Sequence, residues 1–243
     1  MLIFALLGWG SAGIINRLAD EWIGPRVCGS CGWRLRPVWP VIIAYLRYRG
    51  RCPACGKGLP LRPLIIELVT PVLFVLTAAR FGLSVRAGVT ALYLAILLLI
   101  SAIDLVTRRI PNIIVLPASG LALLLAFLGA HPGRGSSIVG GIVGFSFFAL
   151  IFLVGTIFLR IVGRRSKGNG PALGMGDVRL ALFIGLATGY PDVNLALVVG
   201  TLAGGVGALA IILRQVVRRT YHPLAAMAYG PYLAIGAAVA LLR

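Results

Sequence analysis

The feature that most restricts this chain is a series of uncharged apolar runs separated by short basic connections. Ala91 to Ile103 is one such run, and Asp104 follows it directly. In hydrocarbon every backbone polar group needs an internal partner, so a segment of this kind spans as a helix. Hydrophobic residues make up 59% of the 243 and charged residues only 12%, where a soluble domain carries about 25% charged. An all-α polytopic membrane protein is therefore expected.

About eight spans can be drawn: 2–18, 64–81, 86–103, 113–130, 138–162, 177–188, 193–213 and 224–242. With Met1 outside, nineteen of the 23 Lys and Arg residues fall on the inner side and four on the outer. Such a bias sets orientation by the positive-inside rule. The net charge of +17 is then topological and faces anionic lipid, and no nucleic-acid partner is expected. The first apolar stretch lacks a preceding basic region and a cleavage site, so it is expected to be a retained span. The expected division is a first span at 1–19, a cytoplasmic cysteine module at 20–63 and a seven-helix membrane core at 64–243. The loop 164–171, with Gly168, Gly170 and several charges, is expected to be mobile.

All four cysteines lie in the module, as Cys28-Gly-Ser-Cys31 and Cys52-Pro-Ala-Cys55 with twenty residues between the pairs. That spacing matches a tetrahedral four-thiolate zinc site. The orientation places it in a reducing compartment, where thiols persist rather than pair as disulfides. Four thiolates leave no open coordination position, so a zinc here is expected to be structural. The apolar stretch 37–46 between the knuckles is expected to pack on the module or on the membrane surface.

Only six acidic residues occur, and a carboxylate at membrane depth costs about 2.5–3.5 kcal/mol on insertion scales. Asp104 ends one apolar run, and Asp177 opens another behind Gly174-Met175-Gly176. A helix amino terminus favours the ionised form of Asp177, while an apolar wall near a helix end makes Asp104 easier to protonate. Two carboxylates with separated proton affinities can work as a hydrolytic pair, one activating water and the other polarising a carbonyl. Gly174 and Gly176 let the backbone bend tightly and approach a neighbour or an extended peptide. Glu67, one turn into the second span, is either a polar partner for that region or a partner of Arg62. His131 and His222 have no metal-ligand spacing, and neither a serine-type triad nor a phosphate loop is present. The residues alone also fit two other readings: a zinc-ribbon membrane assembly factor with inert aspartates, or a cation-coupled transporter.

Five motifs in order resemble the type IV prepilin peptidases, or leader peptidase/N-methyltransferases, which are membrane aspartic peptidases of the GxGD type. Leu46 to Cys55 looks like the family's LRGRCxxC, and Arg62 to Thr70 like its YPLVELLT. Ile103-Asp104 through Ile110-Pro111-Asn112 looks like its first aspartate motif. Gly174 to Leu180 resembles its GxGD motif, and Tyr229 to Ala234 its FGPFLA. The resemblance implies a peptidase of the bacterial inner membrane with Asp104 and Asp177 catalytic. Its substrates would be type IV prepilins or pseudopilins with a short basic leader, cut at the cytoplasmic face. It also implies methylation of the new amino terminus from S-adenosylmethionine. The family's first-span pattern GSFLNVxxxRLP reads here as Gly10 to Asp20, with Gly13, Asn16 and Asp20 in the motif's place but without the phenylalanine and the Arg-Leu-Pro ending, so the second activity carries over less directly than the first.

Overall fold

In a computed structural model, residues 1–34, 40–161, 174–217 and 227–243 are described below. The loop 164–171, expected to be mobile, and residues 37–39 of the apolar stretch between the knuckles lie outside them. The described residues are helical apart from turns and two isolated antiparallel bridges. The helices are α1 (Leu2–Ile23), α2 (Val41–Arg47), α3 (Arg62–Phe81), α4 (Val85–Thr107), α5 (Asn112–Phe127), α6 (Arg134–Ile161), α7 (Met175–Thr188), α8 (Asp192–Val217) and α9 (Gly230–Leu241).

Five of them, α1, α3, α4, α6 and α8, are long and apolar enough to cross a membrane. α5, α7 and α9, drawn as spans from the sequence, are shorter, at 16, 14 and 12 residues. α1 runs on through Asp20 and Glu21 to Ile23, one turn beyond the expected end of the first span.

The chain forms two compact units, Met1–Thr107 and Arg108–Arg243. In the first, α1, α3 and α4 pack on one another, and α2 packs on α3. α3 and α4 thus group with the amino-terminal part of the chain. α4 is the interior helix: 72% of its most apolar window is buried, against 33% for α1 and for α3.

In the second unit α7 is the centre, in contact with α5, α6, α8 and α9. Val178, Leu180, Ala181, Phe183, Ile184, Gly185, Leu186, Ala187 and Thr188 are all buried. A helix apolar all round belongs inside a bundle, and at about 21 Å by helical rise it is too short to face lipid along a whole bilayer. Its closest neighbour is α6, and glycines make the approach possible. A Cβ at Gly185 would stand 2.1 Å from the Gly140 carbonyl oxygen, and one at Gly144 would stand 2.4 Å from that of Ala181. Such small-residue seams are how apolar helices gain contact where lipid offers no hydrophobic drive. The Ser137 hydroxyl closes the far end of the seam by donating to the Leu186 carbonyl at 2.8 Å.

Candidate active site and cysteine centre

Asp177 is the third residue of α7, whose amino-terminal cap is Gly174 in an extended conformation. The Asp177 amide donates to the Gly174 carbonyl at 3.0 Å. In return the Gly174 amide donates to Asp177 Oδ2 at 3.0 Å. This reciprocal pair satisfies orphan groups at the helix start and fixes the carboxylate in place. Gly176, already inside the helix, does not lie open. A Cβ there would meet the Ile110 Cβ at 2.9 Å, so the loop before α5 fills that space.

Just before α9, Tyr229 covers Gly204 of α8, where a Cβ would lie 2.4 Å from its ring. Its ring centroid is 6.0 Å from Phe148 and 6.5 Å from Tyr232. Tyr229 thus packs the start of α9 against α8 and α6. The sequence marked Tyr229 only through the likeness of Tyr229 to Ala234 to FGPFLA, which carries no signal for this packing.

Asp104 sits in the last turn of α4 and is 4% exposed. Glu67, on α3, is 2% exposed. Its two oxygens accept from Trp9 Nε1 at 2.9 Å and from the Ile42 amide at 2.8 Å. Arg62, the other partner considered for Glu67, instead pairs with Asp20, which also binds Arg26 Nε at 2.7 Å. Asn16, one turn before Asp20 on α1, donates to the Pro63 carbonyl at 3.1 Å. The polar residues of the first span therefore join α1 to the start of α3 and to the module.

The cysteine module is built from two copies of one turn. In each, the first cysteine amide donates to the carbonyl five residues on, Cys28 to Trp33 at 2.8 Å and Cys52 to Lys57 at 2.6 Å. The glycine four residues on donates back to the cysteine carbonyl, Gly32 at 3.0 Å and Gly56 at 2.8 Å. Gly32 and Gly56 have φ of 70° and 72°, a left-handed geometry that favours glycine. A bridge closes each copy, Val27 with Arg34 and Arg51 with Gly58.

The two turns bring all four sulfurs within 4.8 Å of one another. Cys28 to Cys55 is 3.5 Å and Cys31 to Cys52 is 3.6 Å. A disulfide would require about 2.05 Å, and all four cysteines are free. Thiolates about 2.3 Å from a tetrahedral metal stand roughly 3.8 Å apart, so the cluster could hold a metal ion. Protonation is uneven without one. Backbone amides of Ser30 and Cys31 hold the Cys28 thiol down to about 6. Cys31 is pushed up to about 12 against the lowering effect of the Trp33 amide, through its bonds to Cys55, Cys52 and Cys28 and through burial. Four sulfurs this close cannot all ionise without a cation among them.

Residues 9–81 match the bacterial peptidase A24 amino-terminal domain, and residues 91–209 match the type IV leader peptidase family. A prepilin leader peptidase/N-methyltransferase of Pseudomonas putida is 30% identical over 217 residues, 88% of this chain and 70% of that protein. The protein of the same name from Pseudomonas aeruginosa is 29% identical over 218 residues, covering 88% and 70%. That of Bacillus subtilis is 27% identical over 219 residues, covering 87% and 82%. No solved structure matches the chain. Matches along both units, together with a relative aligned over most of its own length, place this chain in the type IV leader peptidase family, and it is a peptidase.

Proposed function

We propose that this protein is an intramembrane aspartic endopeptidase that removes the short basic leader of type IV prepilins or pseudopilins. Eight spans in the bacterial inner membrane, with Met1 outside, would put Asp104, Asp177 and the cysteine module on the cytoplasmic face. The observation that carries the reading is the placement of Asp177. It stands at the mouth of a helix otherwise enclosed by protein, held by the Gly174 amide. Asp104, buried in the last turn of α4, supplies the second carboxyl group.

In this reaction Asp177 takes a proton from water, and the water oxygen adds to the scissile carbonyl carbon. Asp104, protonated, donates to the carbonyl oxygen. Collapse of the tetrahedral adduct breaks the carbon–nitrogen bond: the leaving nitrogen takes up the proton held by Asp177, and a hydroxyl of the adduct returns its proton to Asp104 as the carbonyl re-forms. One water is consumed, giving a leader carboxylate and a new amino terminus. With loops as basic as the leader itself, recognition by bulk charge is excluded, and the attracting charge is local to the carboxylates. The four cysteines hold a structural zinc that orders the module and takes no part in hydrolysis.

The test is processing of a co-expressed prepilin. Asp104→Asn and Asp177→Asn each keep the size of the side chain, and the amide oxygen introduced by the second can still accept from the Gly174 amide. Both variants should accumulate unprocessed precursor while remaining folded in the membrane. Processing at the wild-type rate by either one refutes the pair. Methyl transfer from S-adenosylmethionine to the processed terminus is the second activity, read by mass spectrometry of the same product.

A further inference from the structure

α2 has two faces of different fate. Val41 and Tyr45 pack with Cys28, Cys52 and Leu59 into the core of the module. Ile43 and Leu46 point away and are 55% and 73% exposed. Arg47, Arg49 and Arg51 follow and are exposed as well.

Glu67 sets the depth of this helix. At helical rise, Arg62 and Arg80 of α3 stand about 27 Å apart, close to the thickness of a hydrocarbon core. Glu67 lies about 7–8 Å inside Arg62 along the same axis. A bare carboxylate there would be costly, and this one is covered by Trp9 and by the Ile42 amide at 2.8 Å. The first turn of α2 is thereby held below the level of Arg62. A helix tied at that depth cannot stand off in water, and its apolar outer face lies at the height where acyl chains meet headgroups. α3, on which it packs, has its own exposed apolar residues at Ile65 and Leu68.

We propose that α2 is an interfacial helix. Ile43 and Leu46 are seated in the acyl–headgroup boundary of the protein's own membrane, and Arg47, Arg49 and Arg51 lie on anionic headgroups. The cysteine module is then laid on the membrane rather than tethered above it. This holds whether or not Asp104 and Asp177 are catalytic.

The experiment uses the full chain in nanodiscs of phosphatidylglycerol and phosphatidylethanolamine. A benzophenone amino acid replaces Ile43, Leu46, Leu68 or Lys57 singly, and photoadducts are identified by mass spectrometry. Lipid adducts are expected from positions 43, 46 and 68 and are expected to be lost at position 57. Adducts at 68 with none at 43 and 46, or crosslinks from 43 and 46 to a second copy of the chain, overturn the proposal. Equal lipid yield at 57 overturns it too, since the contact would then not be specific to α2. Arg47→Glu, Arg49→Glu and Arg51→Glu combined should abolish any excess of phosphatidylglycerol over phosphatidylethanolamine in the position-46 adducts. An unchanged ratio removes the headgroup part.

Discussion

Gly185→Ala tests whether the α6–α7 seam sets the position of Asp177. The new Cβ would lie 2.1 Å from the Gly140 carbonyl oxygen and 2.6 Å from the carbonyl carbon. Both obstacles are backbone, so no rotamer change relieves them. Restoring an ordinary contact requires the two helices to part by about 1 Å. That gap runs the length of the seam, where a Cβ at Gly140 or Gly144 would likewise stand only 2.3 Å from the Gly185 carbonyl oxygen or 2.4 Å from that of Ala181. It also stretches the 2.8 Å bond from Ser137 to Leu186. Overpacking of this kind costs about 1–3 kcal/mol, and the lost hydrogen bond adds about 1 kcal/mol. The expected destabilisation is therefore about 2–4 kcal/mol, read as a lower melting midpoint in detergent. Since α7 carries Asp177, a displacement of about 1 Å should also slow prepilin processing by about 100-fold. Gly205→Ala is the control, because nothing lies within 4 Å of the added carbon. If Gly185→Ala melts and processes like Gly205→Ala, the seam does not position the site.

The purified protein should contain one zinc per chain. Serine at any one of Cys28, Cys31, Cys52 or Cys55 should release it and open residues 24–61 to protease, and a metal-free protein with an equally resistant module would contradict the tetrahedral reading. Glu67→Ala strands the Trp9 indole and the Ile42 amide, at about 1–3 kcal/mol for each buried donor. Glu67→Gln keeps an acceptor, so it should lose less, and equal losses measured by thermal denaturation would mean that the carboxylate charge matters more than its hydrogen bonds. Arg108 has a left-handed φ of 52°, which costs a side-chain-bearing residue roughly 1–2 kcal/mol. Arg108→Gly should accordingly raise the melting midpoint slightly, and a lower one would show that the Arg108 side chain contributes more than the strain removes.

How much was legible in the sequence depended on how local the cause was. The knuckle spacing foretold the sulfur cluster because each turn is closed by hydrogen bonds no more than five residues apart, and two such turns must then meet. The cap at Asp177 was legible for the same reason, since its partner Gly174 is three residues away. Glu67 was not. Its donors lie 58 and 25 residues off, at Trp9 and Ile42, and no periodicity in α3 points to either. Span counting has a different limit. Hydropathy marked α5, α7 and α9 as apolar but could not distinguish a helix that faces lipid along its length from one enclosed by neighbours, as α7 is.

By itself the sequence determined that this protein is helical and membrane-bound, that four thiols share one module, and which two aspartates stand at the ends of apolar runs. Those follow from backbone hydrogen bonding in hydrocarbon and from contacts a few residues long. Only the tertiary structure decided that α7 is the enclosed helix, that Ile110 and not open space lies over Gly176, that the Tyr229 ring covers Gly204, and that Glu67 ties the module to α3. The physical reason is that each of these depends on which backbone can approach which, down to a missing methyl group at Gly140 or Gly185. Close packing between residues far apart in the chain selects that approach, and local preference does not encode it.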